Sequence, residues 1–158
     1  MNNTIIIISV IYLFAAFAFI LYAKTRLKTV VKSEPDWPAI DKRYPNARQE
    51  LEKGNFNEVV KLCLRNIHGP KSLEAGQSLY VVFNVEHVDM SHDLKKRNPD
   101  KMTVVMQHDF TLTLLENDSF TVVLRFNDKQ HSLNIPYNAI TFFADPSVGF
   151  AFQRDDNG

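Results

Sequence analysis

The apolar residues of this chain keep one spacing up to residue 67 and another from residue 79 onward, and that change limits the available folds more than any other feature. Phe56, Val59, Val60, Cys63, Leu64 and Ile67 recur at steps of three and four, which puts them on one face of a helix over Phe56–Ile67. Asn55 and Glu58 fit an N-cap and its capping-box partner, Gly69-Pro70 supplies a stop, and Gly54 separates this helix from a shorter turn around Ala47 to Lys53. Beyond Pro70 the period becomes two. Leu79, Val81, Phe83 and Val85 alternate with Tyr80, Val82, Asn84 and Glu86; Met102 to His108 is a second strand. Phe110, Leu112 and Leu114 form a third, and Phe120, Val122, Leu124 and Phe126 a fourth. Glu116-Asn117-Asp118 and Asn127-Asp128 are the turns around that fourth strand, Gln130 to Ile135 begins the next, and Phe150 to Gln153 closes the set. Val88 to Lys101, with Pro99 and many charges, reads as a long connection. The expected class is mainly β with an N-terminal α-helix (α+β), built as a small curved antiparallel sheet or partly open barrel. A domain of this size holds one core and has little room for a deep cleft, so its binding surfaces are shallow grooves and sheet edges.

A different pattern precedes the folded part. Thr4 to Ala23 is a run of 20 residues without a charge, rich in Ile, Phe, Leu and Ala. As a helix it reaches about 30 Å, the thickness of a bilayer's hydrocarbon core. A cleaved signal fits less well, because no basic residue precedes the run, the run is long, and Leu21-Tyr22-Ala23 is a poor cleavage site. Lys24, Arg26, Lys28 and Lys32 follow it, so the positive flank predicts a single-pass anchor at a bacterial inner membrane, residues 4–23 meeting lipid and the rest in the cytoplasm. Residues 24–45 read as a polar linker; Ser33 to Pro45, with Pro35, Pro38 and Pro45, would run extended, and Trp37 and Tyr44 beside the prolines suit packing or interfacial contacts. The folded domain is then 46–153, with 154–158 a short end.

Chemistry is sparse. Lys plus Arg (18) equals Asp plus Glu (18), a balance that argues against a nucleic-acid partner. The single cysteine, Cys63, excludes an internal disulfide or a Cys-based zinc cluster, and its place in the helical stripe makes it a core residue. His87, Asp89, His92 and Asp93 are the best metal grouping, but a solvated polar loop explains them more simply, and no metal or other cofactor is called for. No nucleophile elbow, phosphate loop or dinucleotide fingerprint is present, and the chain does not read as an enzyme.

Two segments carry a resemblance. Asn98-Pro-Asp-Lys-Met-Thr-Val-Val-Met-Gln-His-Asp-Phe110 and Leu133-Asn-Ile-Pro-Tyr-Asn-Ala-Ile-Thr-Phe-Phe-Ala-Asp-Pro-Ser-Val-Gly-Phe-Ala-Phe-Gln153 are similar, in order and spacing, to the alphaproteobacterial branch of the stringent starvation protein B (SspB) family. That resemblance implies an Sm-like β fold, a homodimer, and an adaptor that holds extended peptide tags such as ssrA for the ClpXP protease. It places Gln107 at a position associated with tag binding, where an amide suits a peptide main chain because it donates and accepts at once. Val105 shares the face of Gln107 by strand alternation and lines the expected groove; Leu124 and Phe126 on the neighbouring strand are further candidates, and His108 fixes the strand end. Asp145-Pro146 is read as a turn that ends one strand and starts the next, and Phe142, Phe143, Phe150 and Phe152 as core. Relatives carry a long tail ending in a ClpX-docking peptide, whereas five residues, Arg154 to Gly158, follow the last strand here, so ClpX is a candidate partner without a matching docking segment. The alternative is a non-catalytic scaffold that kept the fold and binds a membrane-protein partner.

Overall fold

The computed structural model describes residues 35–68, 73, 76–107 and 109–154. Contacts divide the chain into Met1–Ser33 and Glu34–Gly158. The expected anchor, its four flanking cations and the Gly69-Pro70 stop lie outside the described residues. Among the described residues no helix is long and apolar enough to cross a membrane.

The segment expected to be an extended tether is instead part of the folded body. Helix α1 spans Trp37–Arg43, and the Asp36 carboxylate accepts a hydrogen bond from Ala39 N at 3.2 Å at its start. Pro38 sits in the first turn, where its missing N–H has no intrahelical acceptor to lose. Ile40 and Tyr44 are buried, so burial of apolar surface holds this segment in place. The prolines suggested a linker, but a proline in a first turn is compatible with a helix, and Ile40 had no periodic neighbours to reveal it. Asn46, in the left-handed region at φ 70°, turns the chain into α2, Ala47–Glu52, a helix where a turn was expected.

Gly54, at φ +74°, then leads into α3, Phe56–Arg65, whose predicted stripe of Phe56, Val59, Val60, Cys63 and Leu64 is buried. The capping box does not form. Asn55 makes no side-chain cap and its Nδ2 donates to Glu50 Oε2 at 2.7 Å, tying α3 to α2.

Among the described residues seven strands follow in two antiparallel sheets. The first sheet has the order β2-β1-β6-β7, from β1 (Leu79–Asn84), β2 (Lys101–Met106), β6 (Ile140–Asp145) and β7 (Phe150–Gln153). The second has the order β3-β4-β5, from β3 (Phe110–Leu115), β4 (Ser119–Phe126) and β5 (Lys129–Pro136). The β4–β5 hairpin turns on Asn127 and Asp128, both at positive φ (49° and 62°), the backbone a two-residue turn of matching twist requires. The connection expected to be loop contains a short helix, α4 (His92–Arg97), and Asp89 there bridges Asn134 of β5 through both backbone bonds.

The core gathers Val81, Phe83, Val104, Met106 and Phe143 from the first sheet, Phe120, Val122, Leu133 and Ile135 from the second, and the α3 stripe. This is a mainly β, barrel-like α+β arrangement, as the spacing predicted. A register shift between Leu112 and Leu114 breaks the expected common face of β3: Leu112 is buried while Leu114 is 47% exposed.

Candidate functional site

Among the described residues strand β2 is an edge strand with β1 on one side only. Its residues alternate strictly: Met102, Val104 and Met106 point into the core, while Lys101, Thr103 and Val105 point outward, and Gln107 follows on the outward side. Register extends that outer surface across the sheet. Val105 pairs with Tyr80, Tyr80 with Ala144 and Ala144 with Ala151, making one row; Thr103, Val82, Phe142 and Gln153 make the next. Tyr80 and Ala144 are buried, so the first row is covered beyond β2, whereas Val105, Val82 and Phe142 are half-buried and leave a narrow apolar strip. Gln107 is half-buried, and among the described residues its side-chain amide has no hydrogen-bond partner. An edge with free backbone groups, an apolar row and an unengaged amide can take up an extended chain.

The other sequence candidates do not share this face. Leu124 is 4% exposed and lies with Phe120 and Val122 on the inner side of the second sheet, packed in the core. The cause is register: Phe110 and His131 flank it on either side, and the inner face of β4 is the one that alternation assigns to Leu124. Phe126 is on the same inner side at the end of β4, half-buried against the core, with its ring 5.8 Å from that of His131. Because Phe110 pairs with Leu124, and only two residues separate Gln107 from Phe110, Gln107 and Phe126 stand at the same end of the domain on different sheets. His108 lies outside the described residues.

A buried polar centre escaped the reading of the sequence. Asp145 does build the expected turn, accepting from Ser147 N at 3.0 Å through Oδ1, with Pro146 opening a short 3-10 turn that Gly149 ends at φ +64°. It is also fully buried. Its Oδ2 accepts from Tyr44 Oη at 2.6 Å, Gln77 Nε2 at 2.9 Å and Arg43 Nη1 at 3.3 Å. One carboxylate thus clasps α1, Gln77 two residues ahead of β1 and the β6–β7 turn. Burial, with the Asp145 charge beside it, raises the Tyr44 pKa far above its ordinary value, so the phenol stays a donor. Burial likewise raises the Cys63 thiol, which keeps it inert. The signal available in the sequence was Tyr44, an aromatic with a polar tip in a segment otherwise read as a tether.

Two further features complete the surface. A groove of about 360 Å³ between the N-terminal helices and β7 is lined by Pro35, Trp37, Leu51, Phe150 and Ala151, with Arg48 stacked 4.9 Å over the Trp37 ring. Tyr137 is buried with its hydroxyl unpartnered among the described residues, and burial pushes its pKa up to about 12. No group of three metal-binding side chains is assembled among the described residues, so His87, Asp89, His92 and Asp93 are not drawn together.

Against known proteins, the model of one family, SspB (stringent starvation protein B), matches residues 50–157. No curated protein matches the chain.

Proposed function

Because the chain belongs to the stringent starvation protein B family, we propose that it acts as a non-catalytic, ClpXP-type adaptor that is held at a membrane through Thr4–Ala23 and captures extended peptide tags of the ssrA kind along β2. The observation that carries this reading is the open β2 edge, with half-buried Val105 and the unengaged Gln107 amide on its outward side. An incoming strand gains backbone hydrogen bonds from the edge, while alternate side chains settle on the apolar rows of Val105, Val82 and Phe142. Gln107 then fixes the guest's register by donating to and accepting from its main chain. Phe126, at the same end of the domain, packs against a guest that continues past Gln107.

Holding such a receptor at a bilayer raises the local concentration of clients that are themselves membrane-bound. The test is fluorescence polarisation of an ssrA-type peptide with the full chain in detergent micelles. Saturable binding that weakens about tenfold in Gln107→Ala, the equivalent of one lost hydrogen bond to a desolvated partner, supports the reading. Absence of binding at any attainable protein concentration overturns it.

A further inference from the structure

Four cations on the N-terminal helices are matched to acids, Arg43 to Asp145 at 3.3 Å, Arg48 to Glu52 at 3.2 Å, Lys53 to Glu50 at 2.7 Å and Lys61 to Glu58 at 2.6 Å, while Lys42 and Arg65 have no acid within ion-pairing distance among the described residues. The corner where α4 runs into β2 gathers four such unmatched cations. Lys95, Lys96 and Arg97 end the helix and Lys101 starts the strand, and among the described residues none has a carboxylate within ion-pairing distance, although Asp93 and Asp100 flank them in sequence. The only buried residue of α4 is Leu94. At about 100° per residue Lys96 therefore points directly away from the core, with Lys95 and Arg97 on either side of it. A helix C-terminus favours cations in its last turn, which accounts for part of this group but not for Lys101, outward-facing on β2.

We infer that this corner is a docking surface for an anionic lipid bilayer. Protein interfaces centre on aromatic and aliphatic anchors and are poor in lysine, whereas this surface has three lysines, an arginine and no exposed large apolar side chain: among the described residues the one such side chain, Leu114, is on β3. Charge without an apolar anchor is the pattern that anionic headgroups attract, at roughly a fivefold gain in partition per cation near the surface. The inference rests on the membrane-held reading above. Only residues 24–34 separate the apolar run from the described domain, at most about 40 Å of chain, so docking is an intramolecular event at high effective concentration. It holds the Lys101 end of β2 at the lipid and leaves Gln107, about 20 Å further along the strand, turned toward the aqueous side.

Cys63 is fully buried, so a cysteine placed at His92 or, as a control, at exposed Thr113 takes a fluorophore alone. The full chain is reconstituted in vesicles of phosphatidylcholine, with or without phosphatidylserine, carrying an acceptor on a headgroup. Energy transfer from position 92 is expected to rise severalfold with phosphatidylserine. It should fall back in high salt and in the Lys95→Glu, Lys96→Glu, Arg97→Glu triple variant, while transfer from position 113 stays unchanged. Equal transfer from position 92 in both vesicles overturns the inference, as does a triple variant that loses ssrA-type peptide binding but keeps its transfer, which assigns the cations to the peptide. If alkaline carbonate strips the chain from the vesicles, the anchor reading alone fails; serine-lipid-dependent transfer from chain added to preformed vesicles still supports the corner, and its absence refutes it.

Discussion

Replacing Asp145 by Asn keeps the shape of the side chain and removes its charge, so it isolates the clasp. In the native domain Oδ2 receives Tyr44, Gln77 and Arg43 and Oδ1 receives Ser147. An amide can serve only one of these sets. If its oxygen faces Gln77 and Arg43, its NH2 opposes the Ser147 N–H; if it is flipped, its NH2 opposes Gln77 and Arg43. Hydrogen bonds to a charged group contribute about 1.5–3 kcal/mol each, and stripping one partner from a buried ion pair costs about 3–5 kcal/mol. The Arg43 side chain is 18% exposed and regains some water, which places the expected loss near the lower end, about 3–4 kcal/mol. For a chain of this length that lowers Tm by roughly 10 °C. Tyr44→Phe removes one of the bonds and should cost about 1.5–2 kcal/mol, less than additively with Asp145→Asn because both act on one network. Trp37 is the only tryptophan and lies in α1, so its fluorescence during urea unfolding reports directly on the clasped helix. A loss below about 1 kcal/mol in Asp145→Asn would refute the claim that this carboxylate fastens α1 to the sheet.

Other outcomes follow from the same contacts. Tyr137→Phe should be neutral or stabilising by up to about 1 kcal/mol in urea unfolding, since the hydroxyl is buried without a partner among the described residues. The Tyr137 phenol, raised to about 12 by burial, binds its proton more tightly folded than unfolded. That stability is complete below the unfolded value near 10 and drains between about pH 10 and 12, by about 1.4 kcal/mol per pH unit, and Tyr44, raised further by burial, adds to the loss as pH climbs past 10. Ionisation of these two at 295 nm should therefore coincide with unfolding rather than precede it. Leu124→Ala should cost about 2–4 kcal/mol of stability and leave peptide affinity unchanged while the domain remains folded.

The elements were legible where a periodic apolar pattern met a burial surface of the same period. The α3 stripe and the alternation of β2 and β4 are read directly, because a shift by one residue would expose every one of those side chains. Helix α1 was not legible. Its burial rests on Ile40 and Tyr44, and its anchor is a carboxylate about a hundred positions away, a pairing that no local spacing encodes. The burial of Leu124 was not legible for a related reason: alternation tells which residues share a face, and only the packing of the two sheets tells which face is interior. Val105 sits outward on β2 and Gln107 just past its end, half-buried like Val105.

The account depends most on β2 receiving a guest strand. A photo-crosslinking residue placed at Gln107, with a second chain carrying it at Thr113 on β3, gives the most direct measurement when the full protein is irradiated with an ssrA-type peptide. The account predicts a covalent adduct from position 107, suppressed by unlabelled peptide, and none from position 113. Adducts from 113 alone, or from neither position while the peptide remains bound, would contradict it.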